Sequence, residues 1–364
     1  MNILITNQSL AVRAGTEPYV RDLARALQSL GHMVFGYSSD PGQPERLLER
    51  DLIAVATDLE NLPIRPDVIH ANHHLDAFTA LTALPGVPAI YQEHGGLWQD
   101  MPPVHPRIHH HLAPSRRFAG TMAANGHLPG SRVSVFPLAV DGARFGRIRE
   151  PVATPRRALC INKYFGEDSR VIQMVKDAAA RRGLALDFAG REFGCKHEEA
   201  ESILPEYDVV FAGGQAAAEA LACGCAVVTM GSAGLGGMVT PDNFECLRDA
   251  GFDPEPGASP VDSDDLADLL GGYAAENCLS LARRIRVESD FPAAVQRLIG
   301  LYEEVMERQK SAVTDVLAEM SATARYLAKI APGIYKVNYQ KTGLMQPSIV
   351  WKPTTLPTGD NPQK

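Results

Sequence analysis

Glu219 is the one charged residue in a run that is otherwise small and apolar, Gln215 to Cys223 (QAAAEALAC), and that run follows directly on the pair Gly213-Gly214. A carboxylate in a tight apolar helix needs a partner, and a pair of ligand hydroxyls suits it, since an ionised carboxylate accepts two O–H bonds. The two glycines let the backbone turn sharply and come close to a ligand. A helix beginning there presents N–H groups without intrahelical partners and about half a positive charge, which suits a diphosphate. Upstream, DVVFA (Asp208 to Ala212) reads as a buried parallel strand. Downstream, AVVTM reads as another, followed by the glycine-rich AGLGG as a second turn. Strand, glycine turn, helix and strand make the layout of a phosphate-binding site.

A second candidate group lies near the start of the chain. Gly15 and Thr16 precede a helix whose apolar residues recur at Val20, Leu23, Ala24 and Leu27. Thr16 is the expected N-cap, Pro18 fits the first turn, and Gly31 is the expected left-handed stop. His94, in QEHGG, stands at a strand end. His70, His73 and His74 would border the same cleft. The run His109-His110-His111, with His105 nearby, suggests metal chemistry at first sight, but adjacent residues point in different directions and no carboxylate or cysteine completes a ligand set. No metal site is therefore expected. The six cysteines include no C-x-x-C, and Cys223-Gly224-Cys225 falls between a helix and a strand, so all six are expected as reduced thiols.

Positioning these residues requires alternating strands and helices. Strands are expected at Ile3 to Thr6, Met33 to Tyr37, Leu52 to Ala56, Val68 to Ala71, Ala89 to Glu93 and Val133 to Phe136. The stretch Gly146 to Arg157, rich in arginine with two prolines, reads as an interdomain linker. A second series follows, with strands at Ala158 to Asn162 and Leu186 to Ala189, the latter ending at Gly190, and helices at Val171 to Arg182 and Glu198 to Leu204. The fold class is thus α/β, with two Rossmann-like parallel-sheet domains facing a cleft, and ligands are expected at the strand C-termini. The expected divisions are 1–148, 157–295, a helical segment 296–330 that packs back toward the first domain, and an extended tail 331–364.

Length and charge bound the function. The chain has 364 residues, enough for two cores, with 45% hydrophobic and 21% charged residues. Its 35 basic against 43 acidic residues, a net charge of −8, argue against nucleic acid as a partner. MNILITN reads as a strand and not as a leader, and no run of 18 apolar residues occurs, so a cytoplasmic location with peripheral membrane contact is expected. The segment TNQSLAVRAGTE after the first strand carries no G-x-G-x-x-G, which argues against a dinucleotide dehydrogenase.

Seven stretches in order, RAGTEPYVRDLARALQSLGHMVFGYSSD, PDVIHANHH, QEHGG, LAPSRRFAGTMAANG, VSVFPLAVDGARF, EALACGCAVV and LIGLYEEV, together resemble the retaining GT-B glycosyltransferases of family 4. The resemblance covers about residues 1 to 305. It implies an acceptor-binding first domain, a second domain that binds a nucleotide-diphosphate sugar as co-substrate, and metal-independent transfer of a hexose-type sugar with retained anomeric configuration. A glycan or lipid-linked acceptor and a place in cell-surface polysaccharide synthesis are implied as well. Gly15 and Thr16 match the glycine loop that approaches the donor from the first domain, and His94 matches the strand-end histidine facing the sugar. Glu219 matches the second glutamate of the Glu-x7-Glu pattern, which binds the ribose hydroxyls. Gly190, Gly213 and Gly214 belong to the donor side. The first glutamate of the pattern falls at Phe211, so its contact to the hexose is absent or moved to Gln215. The basic pair that neutralises the leaving diphosphate is carried over to Lys163 and Arg170, in swapped order. An inverting transferase, an epimerase and a degenerate nucleotide-sugar-binding protein are the alternatives, the first using His94 as base.

Overall fold

A computed structural model describes residues 1–10, 16–40, 53–95, 98–126, 128–162, 164–190, 200–254, 262–313 and 315–342. The chain divides into two units, residues 1–314 and 315–364.

The first half of the larger unit runs β1 (Asn2–Thr6), α1 (Glu17–Ser29), β2 (Met33–Tyr37), β3 (Ala54–Ala56), β4 (Val68–Asn72), α2 (His74–Ala83), β5 (Ala89–Gln92), β6 (Ile108–Ala113), α3 (Arg116–Gly126) and β7 (Val133–Val135). Its seven strands are ordered β3-β2-β1-β4-β5-β6-β7, and all of their pairings are parallel. Side chains alternate across a strand, so β1 serves two layers. Ile3 and Ile5 pack with Val20, Leu23 and Leu27 of α1, while Leu4 faces Ala77 and Leu81 of α2. The order reverses between β1 and β4, which makes the crevice at their C-terminal ends the expected ligand position.

The second half runs β8 (Arg157–Ile161), α4 (Arg170–Arg181), β9 (Ala185–Ala189), α5 (Ala200–Ile203), β10 (Val209–Ala212), α6 (Gly214–Ala222), β11 (Ala226–Gly231), β12 (Gly234–Met238), α7 (Phe244–Asp249), α8 (Ser263–Gly271) and α9 (Ala275–Glu288). The sheet order is β12-β11-β10-β8-β9, parallel except for the antiparallel β11-β12 pair. The glycine-rich segment expected as a second turn is therefore partly an edge strand. Of the helix expected at Glu198 to Leu204, residues 198 and 199 lie outside the described residues, and α5 gives way to a 3-10 turn at Leu204–Glu206.

The chain crosses between the halves twice. The outward crossing runs from β7 to β8, and the return follows α9. The two crossings touch, with the Val140 N–H bonded to Ser289 O at 2.7 Å and the Phe291 N–H to Val140 O at 3.1 Å. Asp208 secures the far end of the outward crossing, accepting the N–H groups of Arg156 at 2.7 Å and Arg157 at 2.8 Å and pairing with Arg149. After the return, α10 (Phe291–Ser311), capped by Asp290, lays Val295, Leu298, Tyr302 and Val305 into the core under β1 and α1.

In the smaller unit, α11 (Val316–Thr342) continues through Pro332. Residues 331–342, expected to begin an extended tail, are thus helical: one internal proline removes one backbone hydrogen bond and leaves the flanking ones in place. Residues 343–364 lie outside the described residues. Among the described residues, no helix is long and apolar enough to cross a membrane.

Candidate functional site

Two sets of strand ends carry the candidate residues. In the first half, β1, β4 and β5 end at Thr6, Asn72 and Gln92, and polar side chains lock these ends together. The Thr6 hydroxyl donates to Asn72 O at 2.8 Å, and the Asn72 amide Nδ2 donates to Thr6 O at 2.8 Å. That bond fixes the amide orientation, so Asn72 Oδ1 accepts from His94 Nε2, 2.6 Å away. His94 is half-buried, against the edge of the Tyr19 ring at 5.1 Å. With Nε2 donating, Nδ1 remains as an acceptor. Burial, with the neighbouring His73 and His70, pushes its pKa down to about 3, so the ring is neutral at physiological pH.

His73, next along the chain from Asn72, is one of two non-glycine residues with positive φ among the described residues, at 56°. Such a conformation in a bulky residue is strained and persists when its surroundings hold it. Here the Gln8 N–H bonds to His73 Nδ1 at 2.9 Å, and Asp100 lies 3.6 Å from Nε2. Burial lowers the His73 pKa to about 4. Thr16 does not cap α1 with its side chain. Its hydroxyl donates instead to Asn7 Oδ1 at 2.9 Å, tying the helix start to the end of β1. Gly15 lies outside the described residues.

In the second half, β8, β9, β10 and β11 end side by side. Gly190 (φ 142°) lies against Asn162, whose carbonyl oxygen would be 2.0 Å from a Cβ there. Asn162 in turn shapes the turn after β8, its Oδ1 accepting the N–H groups of Tyr164 and Phe165 at 3.0 Å each. Lys163, inside that turn, lies outside the described residues. Arg170 is the exposed first residue of α4. Gly213 caps α6 with extended backbone, and a Cβ on it would meet Met230 O at 2.3 Å. Gly214 has a φ of 60° and open space around it. The pair thus has two roles: Gly213 allows two strands' backbones to close up, and Gly214 turns the chain.

Glu219 is half-buried on α6. Gln215, one turn earlier, donates from its amide to Glu219 Oε1 at 3.1 Å and to Ala139 O at 2.9 Å. The amide is thereby turned toward the interdomain crossing. Phe211 is fully buried between β8 and β11, among Cys160, Val228 and the apolar faces of α4 and α8.

Arg144 is a residue that sequence reasoning did not single out. It sits on the outward crossing, bonded to Asp22 of α1 at 2.6 Å and to Glu201 of α5 at 2.9 Å. The nearby Glu219, Asp22 and Glu201 charges raise its pKa against the opposing effect of burial. Arg144 thus joins both halves beside the Glu219 carboxylate. The stretch VSVFPLAVDGARF contains it, yet nothing in its spacing separates it from the other arginines of that region.

The histidine run is structural in its bonding. His109 meets Gln309 at 2.7 Å, His110 meets Ser134 at 2.8 Å, and His111 donates to Pro103 O at 2.9 Å. Among the described residues, no group of three His, Cys, Asp or Glu side chains forms a candidate metal site.

Residues 13–144 match the family model described as Glycosyltransferase Family 4. In that stretch the chain is similar to the family 4 glycosyltransferases. Its fold of two largely parallel sheets matches that of GT-B glycosyltransferase structures. The chain resembles HepE from Anabaena, solved in complex with UDP and glucose (TM-score 0.58, 15% identity, 84% of this chain and 100% of that one). It also resembles a glycosyltransferase from Rickettsia africae (TM-score 0.57, 12% identity, 84% and 98%). A third likeness is to the lipopolysaccharide outer core galactosyltransferase WaaB (TM-score 0.53, 11% identity, 82% and 98%). At these identities the likenesses concern the fold. No curated protein matches the sequence.

Proposed function

We propose that the protein is a family 4 glycosyltransferase that moves a hexose-type sugar from a nucleotide-diphosphate donor to a glycan or lipid-linked acceptor, retaining the anomeric configuration, in the synthesis of a cell-surface polysaccharide. The observation that carries the donor reading is the start of α6. Gly213 and the left-handed Gly214 open a helix N-terminus at the C-terminal edge of the second sheet, and Glu219 follows on the same helix. The N-terminus takes the diphosphate, and Glu219 takes the ribose hydroxyls. Arg144 places a positive charge near that carboxylate.

Departure of the nucleoside diphosphate breaks the bond from the anomeric carbon to the diphosphate oxygen. Negative charge grows on the phosphate oxygens, where the α6 N–H groups, Lys163 and Arg170 stabilise it; each well-placed donor contributes about 2 to 4 kcal/mol. The acceptor hydroxyl attacks on the face that the leaving group vacates, and a diphosphate oxygen takes its proton. In this reading His94 orients a hydroxyl through Nδ1. A histidine with a pKa of about 3 is a poor proton acceptor at neutral pH, which favours this role over the side-chain base that an inverting reaction needs.

The test is thermal stabilisation by UDP, GDP, ADP and dTDP, beside a Glu219→Ala variant, with UDP first because HepE was solved with it. At a hundred times the dissociation constant, binding adds about 2.7 kcal/mol. A shift with one nucleotide that Glu219→Ala abolishes is the expected result, and no shift with any of the four overturns the donor reading. The anomeric configuration of the product, read by NMR, tests retention.

A further inference from the structure

The strand ends of the second sheet hold one carboxylate, Asp253, that the reading above leaves without a task. It lies over the end of β11, where a Cβ on Gly231 would come within 2.0 Å of Asp253 Oδ1. The preceding residue covers the start of α6, with Phe252 O 3.3 Å from where a Cβ on Gly213 would stand. Tyr164, in the turn after β8, feels the same carboxylate, whose charge adds to burial in raising the phenol. Asp253 therefore sits where the turns after β8, β10 and β11 converge, the edge at which a helix N-terminus attracts anions. Its ion-pair partner comes from the other half of the molecule: Arg117, the second residue of α3, whose guanidinium contacts Asp253 Oδ2 and stands 5.2 Å from the Phe118 ring centroid.

Both members of this pair are partly exposed, 38% and 25% at the side chains, and a pair so exposed contributes little to holding two domains together. Its position is more informative than its strength. A carboxylate on this edge is an internal anion, and a guanidinium that grips a carboxylate grips a phosphate with the same fork.

We infer that Arg117 is a donor-phosphate residue supplied by the first domain, which Asp253 holds in place until the diphosphate of the donor displaces it. The inference rests on the donor reading above. Arg116 beside it makes a different pair, with Asp249 of α7 at 3.1 Å, and so serves as a control with the same charge and nearly the same place.

The experiment is titration calorimetry on the full chain, using whichever of UDP, GDP, ADP and dTDP binds most tightly together with its parent nucleoside. Arg117→Gln is expected to weaken the diphosphate roughly tenfold and to leave the nucleoside unchanged. Asp253→Asn, which removes the competitor, is expected to tighten the diphosphate by about two- to fivefold. Arg116→Gln is expected to change neither. An unchanged diphosphate affinity in Arg117→Gln overturns the inference while leaving the donor reading intact. Equal losses for nucleoside and diphosphate, or an equal loss in Arg116→Gln, overturn it too, because a general effect on domain pairing predicts those. If none of the four nucleotides binds the wild type, the donor reading fails and this assignment with it.

Discussion

At the scale of single residues, adjacent glycines separate packing from conformation. Gly213 has ordinary extended backbone but no room, whereas Gly214 has room but a left-handed φ. Gly213→Ala forces a Cβ into the Met230 carbonyl and is expected to destabilise by about 2 to 4 kcal/mol, because backbone on both sides must shift. Gly214→Ala meets nothing and is expected to cost about 1 to 2 kcal/mol, the penalty of the left-handed region alone. Urea denaturation of the two variants checks the order, and a reversed order contradicts the account. For His94, the bond from Nε2 to Asn72 predicts that His94→Gln, which keeps a donor near Asn72, retains more activity than His94→Phe. Product formation from the donor identified by binding measures this, and equal losses would remove the hydroxyl-orienting role. Glu219, Gln215, Gly213 and Gly214 were legible in the sequence because one turn and one helix hold them all. Arg144, Arg117, Asn72 and Tyr19 meet their partners only through the tertiary fold, so spacing along the chain carries no sign of them.

Among the elements, the strands that sequence reasoning found, such as β10 and β11, are runs of mainly β-branched and apolar residues buried on both faces. The two that it missed fail that pattern for different reasons. In β6, IHHHLA, three histidines look polar and draw attention as ligands, yet the strand is buried throughout because each ring has found its own partner. In β12, GLGGM, glycine reads as a turn. A Cβ on Gly236 would fall 2.3 Å from Thr229 Oγ1 and 2.9 Å from Pro254 Cβ, so at that position glycine is required by crowding on an edge strand. The helix α10 overlaps the helical segment expected over 296–330, but its link to the site is not visible in the sequence. Tyr302, fully buried, contacts His70 Nδ1 through its hydroxyl at 2.7 Å, and His70 lies on β4 two residues before Asn72. Tyr302→Phe leaves a buried ring nitrogen without this bond and is expected to cost about 1 to 3 kcal/mol. Chemical denaturation checks it; a variant as stable as the wild type would show that the bond contributes nothing net.

For the molecule as a whole, the histidines set a pH dependence. Burial lowers His70 and His94 to about 3 and His73, His105 and His111 to about 4, from an ordinary value of 6.5. In the unfolded chain these rings protonate as pH falls through 6.5, while in the folded protein they stay neutral until pH 4 or below. Unfolding therefore takes up as many as about five protons in that window, and stability is lost as pH falls from 6.5 toward 4. The expected result is a melting temperature that drops steadily below about pH 6.5, and a flat profile between pH 6 and pH 5 would contradict these burial effects. The double crossing reaches beyond equilibrium. Because α10 supplies Val295, Leu298 and Tyr302 to the layer under β1 and α1, the first domain is not a continuous piece of chain. During synthesis, the strands and helices of residues 1–135 emerge long before α10 that covers them, and the whole second sheet is made in between. The amino-terminal half must wait at the ribosome with an apolar face open, so truncation before residue 291 should yield an insoluble product where truncation after 313 yields a soluble one.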